Sequence, residues 1–176
     1  MSKTRTSEIA TERLIIRPFH ASDATAVQIL CGDPTVARMT SRLPNPLPAG
    51  HTARWIAGHD ALRANAREWP FCITKGGRPI GSIGLRRDAG DALALGYWIG
   101  APYWHRSYAT EATRAIANYG FDDLATETIH AGAYIDNDAS TRVLEKCGFR
   151  YTHTDAQWCN ARGAAVACRR YMKATR

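Results

Sequence analysis

The sequence lacks most of the signatures that fix a chemistry at a glance. Its five cysteines, Cys31, Cys72, Cys147, Cys159 and Cys168, are odd in number and scattered, and no C-x-x-C pair occurs. That argues against a disulfide framework and a zinc cage, and for a reducing compartment. Six histidines are present without an H-E-x-x-H motif, so a catalytic metal is not expected. No G-x-G-x-x-G occurs, which argues against a Rossmann nucleotide fold. The longest uncharged stretch in the middle of the chain, residues 92–104, is broken by Gly96, Gly100 and Pro102 and is too short to cross a bilayer. The charged N-terminus has no apolar run behind it, so no secretory signal is expected. Repeats and low-complexity tracts are absent, and the basic residues form no long run.

What remains is a 176-residue chain, 45% hydrophobic and 22% charged, long enough for one domain with a sizeable core. We expect a single domain over residues 1–176, a flexible tail at 1–10, and a cytoplasmic location. The net charge of +7 suits an anionic partner: a phosphorylated cofactor, nucleic acid or a ribosome surface. A solvated basic surface explains it equally well.

Residues 13–17 (Arg-Leu-Ile-Ile-Arg) read as a strand stopped by Pro18, and Ser22 or Asp23 as the cap of a helix to about Cys31. Three prolines make 41–50 a loop, and 51–67 reads as a helix with Trp55, Ile56, His59 and Leu62 at helical spacing. Residues 69–75 and 78–86 flank Gly76-Gly77, a two-residue hairpin signal. A turn at 88–91 leads to a strand at 93–99. A helix over 107–124 places Ala109, Ala112, Ile116 and Tyr119 on one face. A strand at 128–135, a helix at 137–147 closed by Gly148, and strands at 149–158 and 164–171 complete a mixed α/β sheet with helices packed against it.

The densest signal is Leu-Ala-Leu-Gly-Tyr-Trp-Ile-Gly-Ala-Pro-Tyr-Trp-His-Arg-Ser-Tyr-Ala-Thr-Glu at 93–111. A strand that feeds a helix N-terminus through a short loop presents backbone N–H groups to a phosphate.

Four segments in order carry a resemblance: Thr-Glu-Arg-Leu-Ile-Ile-Arg-Pro at 11–18, Leu-Gly-Tyr-Trp-Ile at 95–99, Tyr-Trp-His-Arg-Ser-Tyr-Ala-Thr-Glu-Ala at 103–112, and Asn-Asp-Ala-Ser-Thr-Arg-Val-Leu-Glu-Lys-Cys-Gly-Phe at 137–149. Over residues 11–172 the chain resembles the GNAT superfamily of N-acetyltransferases, in the branch typified by the ribosomal-protein N-terminal (alanine) acetyltransferases. The resemblance implies a central, mostly antiparallel, twisted sheet of about seven strands, splayed at its middle and flanked by about four helices. It implies acetyl-coenzyme A as donor, a protein N-terminus or small-molecule amine as acceptor, direct transfer, and no metal. Ribosome association is among the implied partners; monomer and homodimer are both open, and no membrane is implied. A different class of reading is a catalytically weak acyl-coenzyme A sensor or a basic RNA- or ribosome-binding module.

The resemblance implies backbone contacts from Tyr97, Trp98 and Ile99 to the pantetheine arm, with an N–H of this strand stabilising the oxyanion. The family's pyrophosphate loop, Gln/Arg-x-x-Gly-x-Gly/Ala, falls on Trp104, His105, Arg106, Ser107, Tyr108 and Ala109, followed by Thr110. Ser107 stands where glycine is usual, and His105 where it is common. The serine hydroxyl can donate to phosphate or cap the helix start. Asn137 is an N-cap, a coenzyme contact, or both. Lys146 and Arg142 approach the adenosine 3′-phosphate or are solvated helix charges. Leu144 occupies the position of the commoner tyrosine acid and cannot donate a proton; the resemblance to the ribosomal-protein branch implies Ser140 as the donor to the departing thiolate, the other reading being a small residue that packs at the helix start. The strand before Gly96 holds no carboxylate, so no base is named; His105, His130, Asp136 and Glu68 are candidates by type, with His130 read as a packing residue. Glu111 reads as a helix-start charge. Trp55, Trp69 and Trp158, with the loop at 44–48, either line an acceptor cleft or belong to the core.

Overall fold

Strand-forming and helix-forming segments follow one another along the chain. The computed structural model describes residues 8–88, 90 and 92–175. In order, these form β1 (Ile9–Ala10), β2 (Ile15–Arg17), a 3-10 turn (Ala21–Asp23), α1 (Ala24–Cys31), α2 (Pro34–Ala37), α3 (His51–Ala57) and α4 (His59–Ala64). There follow β3 (Glu68–Lys75), β4 (Arg78–Arg87), β5 (Leu93–Ile99), a 3-10 turn (Ala101–Tyr103), α5 (Tyr108–Asp122), β6 (Thr128–Tyr134), α6 (Asp138–Lys146), β7 (Arg150–Cys159) and β8 (Ala164–Ala174). Helices α1, α4, α5 and α6 pack against strands of one sheet, while α2 and α3 pack against other helices.

The strands make one eight-stranded sheet in the order β1-β2-β3-β4-β5-β6-β8-β7. Every neighbouring pair is antiparallel except β5 and β6. That parallel pair is short: Leu93 faces Ile129, Ala94 faces His130 and Leu95 faces Ala131. Past that point the two strands no longer pair with each other: β5 runs on to Ile99 along β4, and β6 to Tyr134 along β8. The expected splay is therefore a fork that opens just past Leu95.

One sheet face carries Trp69, Phe71, Ile73, Ile83, Leu85, Leu93, Leu95 and Ile129 in the main core, under Ala112, Ile116 and Tyr119 of α5. Each such side chain contributes about 1.5–3 kcal/mol by leaving water. The close approach of α5 depends on Gly120, where a Cβ would lie 2.8 Å from the Ile129 Cδ1 and 3.0 Å from the Leu85 Cδ1. Gly76 and Gly77 have positive φ angles of 54° and 76°, as the tight β3–β4 hairpin requires.

Five expectations differ from the structure in detail. The helix expected over 51–67 divides at Gly58 into α3 and α4, because a glycine costs about 1 kcal/mol inside a helix and here serves as a cap instead. Asp23 does not cap α1 with its side chain; its carboxylate accepts from the Arg17 guanidinium at 2.7 and 2.9 Å and from the His20 N–H at 2.8 Å. The sheet has eight strands rather than about seven, because Ile9–Ala10 at the end of the expected tail pairs with β2. Residues 1–7 of that tail, and Ala89 and Asp91 of the expected turn, lie outside the described residues. The strand expected from Arg13 begins at Ile15, and Arg13 reaches α5 instead. The helices number six rather than about four among the described residues. The extra short one is α2, whose Pro34 start is capped by Asp33 accepting from the Thr35 N–H at 2.8 Å.

Candidate active site

A cleft of about 1470 Å³ runs from the N-terminus of α5, through the fork between β5 and β6, onto the sheet face opposite α5. It exceeds the roughly 300–1,000 Å³ of ordinary small-ligand pockets, so it accommodates an extended ligand. Its floor is thin. Gly84 and Gly96 face each other across β4 and β5, and a Cβ at Gly96 would meet nothing within 4 Å.

At one end lies the loop between β5 and α5. The two residues standing where glycine is expected, His105 and Ser107, both have left-handed backbone, with φ of 59° and 62°. For a non-glycine residue this costs roughly 1–2 kcal/mol each. The loop thus keeps a glycine-like backbone path without glycine. Ser107 is the N-cap residue of α5, yet its hydroxyl makes no capping bond, so the first-turn N–H groups are left to the cleft. The Trp104 indole donates to the Ile99 carbonyl at 2.7 Å and ties the loop to β5.

At the fork, the Tyr97 hydroxyl lies 2.8 Å from the Ser140 Oγ. Burial pushes the Tyr97 hydroxyl well above its ordinary range, and the Ser140 hydrogen bond offsets only part of that, so it stays a phenol. The Ser140 N–H donates to the Asn137 Oδ1 at 3.1 Å, so Asn137 caps α6 while also lining the cleft. Leu144 is buried in the core.

The far end is polar, and its carboxylates are paired. Glu68 accepts from Arg42 at 2.6 and 3.2 Å, Asp136 pairs with Arg162 at 2.9 Å and Arg38 at 3.4 Å, and Asp155 pairs with Arg170 at 2.7 Å. The Arg162 hydrogen bond is the main cause holding the Asp136 carboxyl below the usual range. The segment carrying Arg38 to Arg42 crosses to the β7–β8 turn: Asn160 N–H donates to the Ser41 carbonyl at 3.0 Å, and the Arg162 Nε to the Arg38 carbonyl at 2.8 Å. His130 is corrected from a packing residue: it is exposed, lines the cleft, and its side chain makes no hydrogen bond or ion pair among the described residues.

All of Tyr97, Trp98, Ile99, Trp104, His105, Arg106, Ser107, Tyr108, Ala109, Thr110, Asn137, Ser140 and Lys146 line this one cleft. The three tryptophans do not come together. Trp55 lines the cleft, Trp69 is in the core on the opposite face, and Trp158 is exposed on the terminal hairpin. The loop at 44–48 contributes no lining residue among those described.

A family model described as an acetyltransferase (GNAT) domain matches residues 13–150. The chain belongs to the GNAT acetyltransferase family. A Bacillus subtilis relative described as an uncharacterized N-acetyltransferase, YoaA, is 30% identical over 146 residues, covering 81% of this chain and 82% of the relative. Among solved structures, Mycobacterium smegmatis RimJ in complex with a CoA-disulfide superposes with a TM-score of 0.86 at 19% identity, covering 99% of this chain and 90% of that one. A ribosomal-protein-S5-alanine acetyltransferase from Vibrio fischeri superposes at 0.82 and 17% identity, covering 96% of both chains. These structures share the GNAT fold, which gives this chain's splayed sheet its family context. The fork and the loop are this acetyltransferase's most recognisable features.

Sequence reasoning missed two features of the GNAT site. The sequence points to the backbone of Tyr97, whereas the structure adds its hydroxyl, which meets Ser140. The sequence offers Glu111 as a helix-start charge, whereas in the structure it also accepts from Thr11 Oγ1 at 2.6 Å and from the Arg13 N–H at 2.8 Å. Burial alone would raise its carboxyl, but these bonds and the Arg13 side chain outweigh burial and hold it below the usual range. Residues 11–13 belong to the first of the four motif segments, but their contact with α5 is tertiary and leaves no mark in the local sequence.

Proposed function

We propose that the protein is an N-acetyltransferase that moves an acetyl group from acetyl-coenzyme A to a primary amine by direct transfer. The observation that carries this reading is the fork: β5 leaves β6 at Leu95, beside the left-handed loop at His105 and Ser107. The released edge of β5 suits the amides of a pantetheine arm, which add as a strand does. The loop and the start of α5 suit its diphosphate. Tyr97, Trp98, Ile99, Asn137 and Ser140 would surround the thioester end, and Lys146 the nucleotide end. No metal is needed for this chemistry.

Acetyl-coenzyme A supplies the acetyl thioester when bound. Around it, a β5 N–H between Tyr97 and Ile99 donates to the carbonyl oxygen as negative charge develops there. Ser140, backed by the Tyr97 hydroxyl, delivers a proton to the departing sulfur. The glycine floor at Gly84 and Gly96 lets an amine reach the carbonyl carbon, so that positioning supplies much of the rate. His130 is the base we place first. Glu68 and Asp136 are held by arginines, and His105 lies on the diphosphate side.

The ribosomal-protein acetyltransferases among the structural neighbours favour a protein α-amine as acceptor, and the +7 charge suits work at a ribosome surface. The test is tandem mass spectrometry after incubation with acetyl-coenzyme A and a panel of N-terminally free peptides, lysine-containing peptides with blocked N-termini, and polyamines. Acetyl on the free α-amines is expected. Acetyl on lysine side chains or polyamines alone would overturn the acceptor assignment, and acetyl on nothing would support the sensor or RNA-binding alternative.

A further inference from the structure

We propose that Arg13 is a positioning residue for the diphosphate of coenzyme A, acting through the loop and not by contact with the ligand. The inference rests on the reading of the cleft as a coenzyme A site.

Arg13 lies between β1 and β2, in a turn closed by the Thr11 N–H donating to the Leu14 carbonyl at 2.9 Å. Its guanidinium makes two kinds of bond at once. Nε and Nη2 donate to the Glu111 Oε2 at 2.8 and 2.7 Å, and Nη1 donates to the Arg106 carbonyl at 3.0 Å. The guanidinium carbon also sits 4.8 Å from the centre of the Tyr108 ring. One side chain therefore grips the loop, the first turn of α5 and its first aromatic residue. Only a planar fork of donors does this; a lysine ammonium is a single point.

The loop is one chain thick here. Ser107 lines both the cleft and a shallow outer groove formed with Thr11, Arg13 and Glu111. Arg13 lines the outer groove and no part of the cleft. The peptide between Arg106 and Ser107 is trans, so its N–H points opposite to its carbonyl. Drawing the Arg106 carbonyl outward to Arg13 turns the Ser107 N–H the other way, toward the cleft. The left-handed backbone at His105 and Ser107 has no glycine to make it easy, and the outer grip of Arg13 is what holds it.

The second consequence is electrostatic. Glu111 sits in the first turn of α5, where a diphosphate would also seek the positive end of the helix. An unmatched carboxylate there repels the ligand. Arg13 cancels that charge and holds the carboxylate on the outer face.

The test is calorimetric titration of the full chain with coenzyme A and with pantetheine, which has the same thiol arm but no diphosphate. Arg13→Ala should weaken coenzyme A binding about tenfold or more, the effect of losing charge-assisted hydrogen bonds, and leave pantetheine binding within about twofold. Arg13→Lys, which can hold Glu111 or the Arg106 carbonyl but not both, should fall between, again for coenzyme A alone. It carries the test if the alanine variant does not fold. Equal losses for both ligands would make Arg13 merely structural, and unchanged coenzyme A affinity in either variant would overturn the proposal. Failure of the unaltered protein to bind coenzyme A would instead overturn the function on which it rests.

Discussion

The Tyr97 hydroxyl meets the Ser140 Oγ at 2.8 Å, joining the strand that leaves the ladder to the first turn of α6. The pair spans the fork where the thioester sulfur would lie. Ser140→Ala removes the proposed proton donor and should lower turnover about 10²-fold, within the range of a lost general acid, with coenzyme A affinity held within about twofold. Tyr97→Phe should lower turnover less, because it leaves the serine hydroxyl in place. Steady-state kinetics beside coenzyme A titrations check both, and unchanged turnover in Ser140→Ala would remove the serine from the mechanism.

Ser107 holds a left-handed backbone that glycine adopts freely. Ser107→Gly should keep or improve coenzyme A affinity. Ser107→Val puts a β-branched residue in the same conformation and should weaken it. A large loss in Ser107→Gly would show that the hydroxyl itself is a phosphate ligand. Titration of the two variants decides between these outcomes.

Open space lies above Gly96. A leucine there can be accommodated by the fold but fills the cleft floor proposed as the path of the amine. Gly96→Leu should therefore melt within a few degrees of the parent while turnover falls by about tenfold or more. Circular dichroism melting and a rate assay on one preparation are sufficient. A parent-like rate would place the acceptor path elsewhere.

His59 is buried against Trp55, with ring centres 4.3 Å apart, and against Phe19 at 5.2 Å; neither ring nitrogen has a hydrogen-bond partner. Burial, with the nearby Arg63 charge, pushes its pKa down to about 4, and the Glu68 and Asp60 carboxylates restore only part of the loss. The native imidazole is therefore neutral at a pH where the unfolded chain takes up a proton. Stability should be lost as pH falls from about 6.5 to about 4 and then level off, by an amount on the order of 3 kcal/mol at most from this residue. His59→Phe should flatten that part of the stability–pH curve, measured by urea melts. An unchanged slope would assign the acid sensitivity to other groups.

Much of the fold is legible in the sequence because its punctuation is local. Gly76-Gly77 marks the β3–β4 hairpin, Gly148 ends α6 with a positive φ of 83°, and the 93–99 strand has the same bounds in the structure. The division at Gly58 was harder to see, since a glycine in an otherwise helical pattern is often tolerated. The β5–loop–α5 side of the cleft was also legible, because the strand–loop–helix order places its lining on consecutive residues. The polar far end of the cleft was not. Glu68 meets Arg42 and Asp136 meets Arg162 only through tertiary packing, and nothing in the spacing of Trp55, Trp69 and Trp158 says that they face three different ways. Arg13 belongs to the same class, since its partners lie 93 and 98 residues away.

The most direct test of the central claim is amine-dependent release of free thiol from acetyl-coenzyme A by the purified protein. The account predicts saturable release that requires both the amine and the acetyl donor and that falls in Ser140→Ala. Tight coenzyme A binding with no thiol release from any amine in the panel would contradict it, leaving a coenzyme-binding GNAT domain without transferase chemistry.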